Sequence, residues 1–275
     1  MPSARARIGA TFEVMKALSL DSAPPQVALQ SQLTFTHHGS RQSMSLTLLS
    51  APAIPPRNDE QTLPQAAPWG QLTMQHTLHA EGFGVRLRPV EMGDAPFIVW
   101  LRNLDHARGR VGDSATDTAA QQAWLKAYFH RQGDYYFIIE TLGGNAAGAY
   151  GIYDLTGDSA ESGRWIVRPD VPAAIPSAIL AFEIAFDKLR LRELRVKTVS
   201  TNTNVLSLNR KLGFRQTGVE PAARIIGGAS VDLVHFLLEA KDWPKIREKF
   251  VPLARLAEQQ IREWEQAQIK KALKR

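Results

Sequence analysis

The chain has 275 residues, 44% of them hydrophobic, with 33 Lys and Arg against 27 Asp and Glu and a formal net charge of +6. That length exceeds one compact domain and falls short of two full ones, so a main domain with appendages is expected. There is no cysteine, which excludes disulfides, thiolate zinc sites and any route through an acyl-cysteine.

Residues 1–80 are rich in Ser, Gln, Thr, Ala and Pro, and APAIPPRNDEQTLPQAAP from Ala51 to Pro68 reads as a linker, so this region is expected to be poorly ordered or a small accessory unit. QLTFT around Phe35 and SMSLTL around Leu46 flank the turn signal HHGS, which reads as a hairpin or as disorder. His37 and His38 are adjacent and would point apart on a strand, so a solvated turn is expected there and no metal site. No run reaches about 18 apolar residues and no signal-peptide core is visible, so no membrane insertion is expected and the cytoplasm is the expected compartment.

From Gly84 the pattern changes. VRLRPV alternates as a strand, GDAPFIVWLRNL puts Phe97, Trp100, Leu101 and Leu104 at helical spacing, and TDTAAQQAWLKAYFHR is a second helix capped by Asp117 or Thr116. DYYFIIET, AAGAYGIYDL and SGRWIV read as three strands, the first two joined at Gly143–Asn145 and the last two by the longer connection TGDSAESG. IPSAILAFEIAFDKLRL is then a helix, ELRVKTVS a strand, NVLSLNRKL a short helix, and FRQTGVE and SVDLVHFLLE the closing strands. This order predicts a mixed α/β (α+β) domain over 84–239, a central sheet flanked by helices.

Residues 240–275 place Ile246, Phe250, Leu253, Ala257, Ile261 and Trp264 at steps of three or four, an amphipathic helix that Pro252 is expected to kink or restart. From Lys241 onward ten Lys or Arg face five Asp or Glu, so the net positive charge sits mostly in this tail. Docking on its own domain or on a second subunit, as a homodimer through this helix, is expected, and nucleic acid is not expected as a partner.

The order of elements, together with TNTNVLSLNRKLGFRQTG from Thr201 to Gly218, resembles the GCN5-related N-acetyltransferase (GNAT) superfamily. Asn202 matches its strand-ending asparagine, and Lys211, Leu212, Gly213 and Phe214 match its K-L-G-F type turn. Independently, Gly213 stands where a helix C-terminus favours a left-handed residue. RLRPVEMGDAPFIVWLRN and VDLVHFLLEAKDW are most similar to the branch holding ribosomal-protein N-terminal acetyltransferases and the amino-sugar N-acetyltransferases of the pseudaminic acid pathway. Trp100, Arg102 and Asn103 match a W-x-R-N-like element of the sugar enzymes. The resemblance implies transfer of an acetyl group from acetyl-CoA to a primary amine, of a small molecule or a peptide, and without a cysteine direct attack is the preferred route.

One stretch departs from that pattern. In SGRWIVRPDVPAAIPSAIL the resemblance implies a Q/R-x-x-G-x-G/A turn whose amides hold the coenzyme A pyrophosphate, yet Val171–Pro176 reads V-P-A-A-I-P, with Ala174 and Pro176 at the glycine positions. Proline deletes a donor. Either the amides of Ala174, Ile175, Ser177 and Ala178, the Ser177 hydroxyl and the charge of Arg168 still hold the cofactor, or the fold persists as a binding module or pseudoenzyme. The resemblance further implies that pantetheine pairs with the strand Trp165–Arg168, including Ile166, Val167 and Arg168, that an amide near Val167 polarises the thioester, and that Asn202 and Asn209 line the cofactor. Asn209 stands where many relatives carry a tyrosine acid and cannot titrate, so Tyr150, Tyr153 or water is left as proton donor. Glu161, Asp154, Glu140 and His106 are the candidate bases. Arg102, Asn103 and Arg108, with Arg110, would suit an anionic acceptor such as a nucleotide-linked amino sugar, the alternatives being a solvated basic loop beside Asp105 and Asp113 or a protein N-terminus as acceptor.

Overall fold

The computed structural model describes residues 75–107, 115 and 117–274. The hairpin and linker expected within residues 1–74, and Arg108, Arg110 and Asp113, lie outside the described residues. The strands are β1 (Ala80–Gly82), β2 (Val85–Pro89), β3 (Tyr135–Thr141), β4 (Ala146–Thr156), β5 (Ser159–Val167), β6 (Glu193–Val199), β7 (Arg215–Ile226) and β8 (Ala229–Glu239). The helices are α1 (Ala95–Arg102), α2 (Thr118–Tyr128), α3 (Ala174–Phe182, continued by a π-helical stretch Glu183–Lys188), α4 (Thr203–Lys211) and α5 (Trp243–Ala272).

These strands form one eight-stranded sheet in the order β1-β2-β3-β4-β5-β6-β8-β7. Side chains alternate across it, so β3 sends Tyr136 and Ile138 to one face and Phe137 and Ile139 to the other. Both faces are covered, which explains why DYYFIIET reads as an unbroken apolar run. Phe97, Ile98 and Leu101 of α1 and Leu125 and Tyr128 of α2 pack on the first face. On the second, α3 and α5 contribute Ile179, Phe182, Trp243, Phe250 and Ile261.

All the pairings are antiparallel except one. β5 and β6 pair in parallel, and only over Ser159–Glu161 against Glu193–Arg195. Beyond Glu161 the two strands part, while β6 stays paired with β8 as far as Val199. A bulge in β5 where Arg164 takes φ 52 and a second in β4 where Asp154 takes φ 53 increase the local twist at this point.

The structure corrects three expectations about element bounds. Only Gly157–Asp158 separates β4 from β5, because Ser159 and Ala160 already pair and Ala160 is buried in the core. β7 passes through Pro221 to Ile226, since it is an edge strand and the missing N–H breaks no ladder bond on its open side. Pro252 lies inside a continuous 30-residue α5 with its ring exposed.

α5 docks on its own domain, burying Trp243, Ile246, Phe250, Ala254, Ala257 and Ile261. Most of the apolar face is thereby used, and of the large hydrophobics in its last turns Ile269 and Leu273 are left exposed. Gly213, at φ 91 after α4, is part of this seam, because a Cβ there would meet Ile246 at 2.6 Å. Among the described residues no helix is long and apolar enough to cross a membrane.

Candidate active site

A groove of about 1030 Å³ opens where β5 and β6 part, lined by both strands, by Arg102, His106, Gln121 and Trp124 on one side and by Ala174, Asn202, Asn209 and the β7–β8 hairpin on the other. Its backbone edge follows from the strand register. Arg168 N donates to Ala147 O at 2.9 Å, and Val167 stands opposite Gly148 and Ile166 opposite Ala149. In an antiparallel ladder these pairs alternate, so Ile166 turns its N–H and C=O, and Arg168 its N–H, toward β4, while Val167 turns its own groups toward the opening. Of Ile166, Val167 and Arg168, Val167 therefore offers backbone groups to the groove. His106 Nε2 lies 3.2 Å from the Val167 carbonyl, reaching it from the segment after α1.

The N-terminus of α3 borders the groove at Ala174. Ser177 N donates to Ala173 O at 2.9 Å, and Ala178 is buried one residue further into the helix. The Ser177 hydroxyl is fully buried, donating to Ala174 O at 3.0 Å and accepting from Trp165 Nε1 at 3.3 Å. With Pro176 carrying no N–H, the first-turn donors without a backbone partner among the described residues are Ala174 and Ile175. Arg168 does not face the groove. Its guanidinium donates to both Asp170 carboxylate oxygens at 3.0 and 2.7 Å and to Ala146 O at 3.3 Å.

At the fork of the sheet, Glu161 accepts from Tyr153 Oη at 3.2 Å and pairs with Lys197 Nζ at 2.9 Å. Burial pushes the Tyr153 phenol up, with the Glu161 charge adding to it, so the O–H is retained across neutral pH. Arg164 lies 4.3 Å from the Tyr153 ring centroid and forms a two-point pair with Asp134 at 2.5 and 3.0 Å. Asp154 is exposed in its bulge and lines the groove. Tyr150 is buried, with its Oη 2.5 Å from Ser162 Oγ and its pKa raised by burial against the Ser162 hydrogen bond.

On the wall that carries α4, Asn202 caps the helix by accepting from Val205 N at 3.4 Å, and buried Asn209 donates to Thr198 Oγ1 at 3.1 Å. On the opposite wall Arg102 is 9% exposed and faces the buried Tyr136 phenol, whereas Asn103 is outside the groove lining, exposed and donating to Val99 O at 2.9 Å. Glu140, a candidate base in the sequence, is 4% exposed and lies outside the groove, 2.6 Å from Arg86 and 3.4 Å from Arg88. Lys197 and Gln121 were not singled out in the sequence. Lys197 carries no motif signal within ELRVKTVS, and only the pairing of β5 with β6 brings it to Glu161.

A sheet that splits between two parallel strands, with a helix N-terminus beside the split, defines the class. Residues 85–215 match the family described as acetyltransferase (GNAT) domain. The spermidine N-acetyltransferase SpeG of Vibrio cholerae, in complex with CoA and spermine, is 19% identical, with a TM-score of 0.55 over 59% of this chain and 99% of its own. FdhC, a nucleotide-linked sugar GNAT in its apo form, is 24% identical, with a TM-score of 0.55 over 66% of this chain and 99% of its own. A GCN5-related N-acetyltransferase from Brucella melitensis is 19% identical, with a TM-score of 0.56 over 66% and 87%. At such identities the likeness is one of fold. No curated protein matches the chain.

Proposed function

We propose that this chain is an acetyl-CoA-dependent N-acetyltransferase acting on the primary amine of an anionic small molecule, in the cytoplasm. The observation that carries the reading is the backbone edge at Val167, turned into the opening between β5 and β6 with Glu161 at the fork and the Ala174 and Ile175 amides at the far end. These groups fit the donor. A strand edge can pair with the amides of pantetheine, and a helix N-terminus favours phosphate. Acetyl-CoA would supply an activated thioester acyl group.

The chain's own residues would then do the following. Val167 orients the donor, with Asn202 and Asn209 on the facing wall. Glu161 would accept the proton of the attacking amine, whose nitrogen replaces sulfur on the acyl carbon, and Tyr153 or water would give a proton to the sulfur that leaves. Arg102, Arg131 and Arg164 line the acceptor side, Arg164 paired with Asp134, and with Lys197 and Arg224 they outnumber Asp154, Glu161 and Glu220 in the groove, a balance that suits a phosphate or carboxylate better than a polyamine. That balance, with the nucleotide-linked sugar GNAT among the structural neighbours, supports a nucleotide-linked amino sugar and with it the amino-sugar branch.

A second reading rests on Pro172 and Pro176, which remove donors from the turn and favour a binding protein that keeps the fold without the chemistry. Thiol release from acetyl-CoA, measured with amino-sugar nucleotides, a peptide N-terminus and spermidine in parallel, separates the two. Turnover with the sugar nucleotides is expected; turnover confined to spermidine or the peptide contradicts the acceptor, and none with any acceptor favours the second reading.

A further inference from the structure

Arg168, the first residue of the turn from β5 to α3, lies between two tryptophans that come from opposite faces of the sheet. Its guanidinium carbon is 5.5 Å from the ring centroid of Trp100 on α1 and 5.3 Å from that of Trp264 on α5. Both distances lie within cation–π range. The same guanidinium holds Asp170, two residues further along the turn, through the two-point pair described above. The next backbone links, Val171 N to Arg168 O at 3.4 Å and Ala173 N to Val171 O at 2.8 Å, lead directly to the open amides of Ala174 and Ile175.

α5 is fixed where it supplies Trp264. Its neighbour Glu265 accepts from Gly143 N at 2.7 Å and from Thr141 Oγ1 at the β3–β4 turn. One turn earlier Ile261 is fully buried against the core, and a Cβ on Gly84 would sit 3.4 Å from Glu258 and 3.5 Å from Ile261. The helix thus clasps the β1–β2 turn, the β3–β4 turn and Arg168 with consecutive turns of its C-terminal half.

We propose that Trp264 is a positioning residue: through Arg168 and Asp170 it sets the backbone of residues 168–175, and so holds the Ala174 and Ile175 amides in the orientation that receives the donor's pyrophosphate. The physical reason lies in the turn itself. A glycine-rich turn can wrap an anion after the anion arrives, because its backbone reaches conformations closed to other residues. A turn reading V-P-A-A-I-P, with φ locked at two prolines, cannot remodel in that way and has to be correct beforehand. α5 supplies that preorganisation from outside the turn. Trp100, which matches the W-x-R-N element, is the second half of the clamp.

The cofactor half of this inference rests on the proposed function, so the test reads the turn and the ligand separately. Hydrogen exchange of the amides from 170 to 177 is measured in the full-length protein without ligand, alongside the Kd for coenzyme A, in wild type, Trp264→Ala, Trp264→Phe and Arg168→Lys. Expected is at least tenfold faster exchange in this segment for Trp264→Ala, with β2 and β3 unchanged, and a tenfold weaker Kd, both largely restored in Trp264→Phe. Arg168→Lys keeps the charge, loses the planar fork and the stack, and should shift exchange and Kd in the same direction as Trp264→Ala without emptying the core. Wild-type exchange in both Trp264→Ala and Arg168→Lys overturns the positioning role whatever the ligand does. Faster exchange in a protein whose wild type binds no coenzyme A upholds the clamp and overturns the functional reading.

Discussion

Lys197 Nζ lies 2.9 Å from Glu161 Oε2, joining β6, two residues beyond Arg195, to the last residue of β5 that pairs with it. Glu161 has a 15% exposed side chain and Lys197 a 43% exposed one. The carboxylate is therefore held in place at the groove while the lysine stays largely hydrated. For a general base, position counts as much as basicity. Glu161→Gln should lower kcat roughly 100-fold or more with little change in melting temperature, in line with the usual contribution of a positioned base. Lys197→Met should cost less, because it removes one of two groups that fix the carboxylate. Equal activity in Glu161→Gln would move the base to Asp154 or His106.

Gly163 and Tyr153 form a second linked pair. A Cβ on Gly163 would collide with the Tyr153 hydroxyl, which donates to Glu161. Gly163 has no positive φ, so Gly163→Ala carries a packing penalty without backbone strain. It should destabilise by about 1–3 kcal/mol, the range for overpacking a filled site. Tyr153→Phe opens that space, so the double variant should recover most of the loss. A double-mutant cycle of melting free energies checks this, and additivity of the two changes would contradict it.

Glu140 was a candidate base in the sequence and is a structural ion in the fold. Its side chain is 5% exposed, within reach of Arg86 and Arg88, and Arg88 also pairs with Asp94 at 2.8 Å. Glu140→Ala removes a buried charged acceptor, but Arg86 is 40% exposed and Arg88 keeps Asp94, so the change should cost about 1.5–3 kcal/mol, the range for a hydrogen bond to a charged group. At temperatures where the variant remains folded its kcat should match wild type. A loss of activity larger than the loss of folded protein would return Glu140 to the list of candidate bases.

His76 gives a pH dependence with a defined sign. Burial lowers its pKa against the opposing hydrogen bond to Tyr136 O, and its ring packs 4.8 Å from Phe137 and 5.3 Å from Tyr135. The folded protein therefore takes up this proton less readily than the unfolded chain. Stability from this group is complete above about pH 6.5, the ordinary histidine value, and is lost as the pH falls toward the lowered folded value. Melting temperatures from pH 8 to 5.5 should fall more in wild type than in His76→Phe. Parallel curves would contradict the assignment.

The order of strands and helices was legible because each element carried its period: two in the strands, three to four in α1, α2 and α5. Gly213 announced the end of α4 for a reason visible in one residue, its left-handed backbone. What escaped the sequence depends on register and on long-range pairing. Val167 and Ile166 look equivalent in a string, and only the ladder with β4 turns one to the groove and the other away. Arg168 reads as a charge beside a phosphate turn, yet Asp170, Trp100 and Trp264 hold it elsewhere, the last from almost a hundred residues away in the chain. Lys197 reached the candidate site by the same kind of contact. The extension of β7 through Pro221 was masked because proline signals a break unless the strand is known to be an edge.

If the parted strands and the Ala174 and Ile175 amides bind acetyl-CoA, the melting temperature must depend on the acetyl-CoA concentration. A ligand of the folded state stabilises by mass action, about 2.7 kcal/mol at a hundred times its Kd, so the transition should rise steadily with acetyl-CoA and less with adenine nucleotide alone. Pro176→Gly restores an N–H at the third helical position and should steepen the rise, for a backbone cost of at most about 1 kcal/mol in the free protein. A flat transition up to millimolar acetyl-CoA, in wild type and in Pro176→Gly alike, would contradict the account.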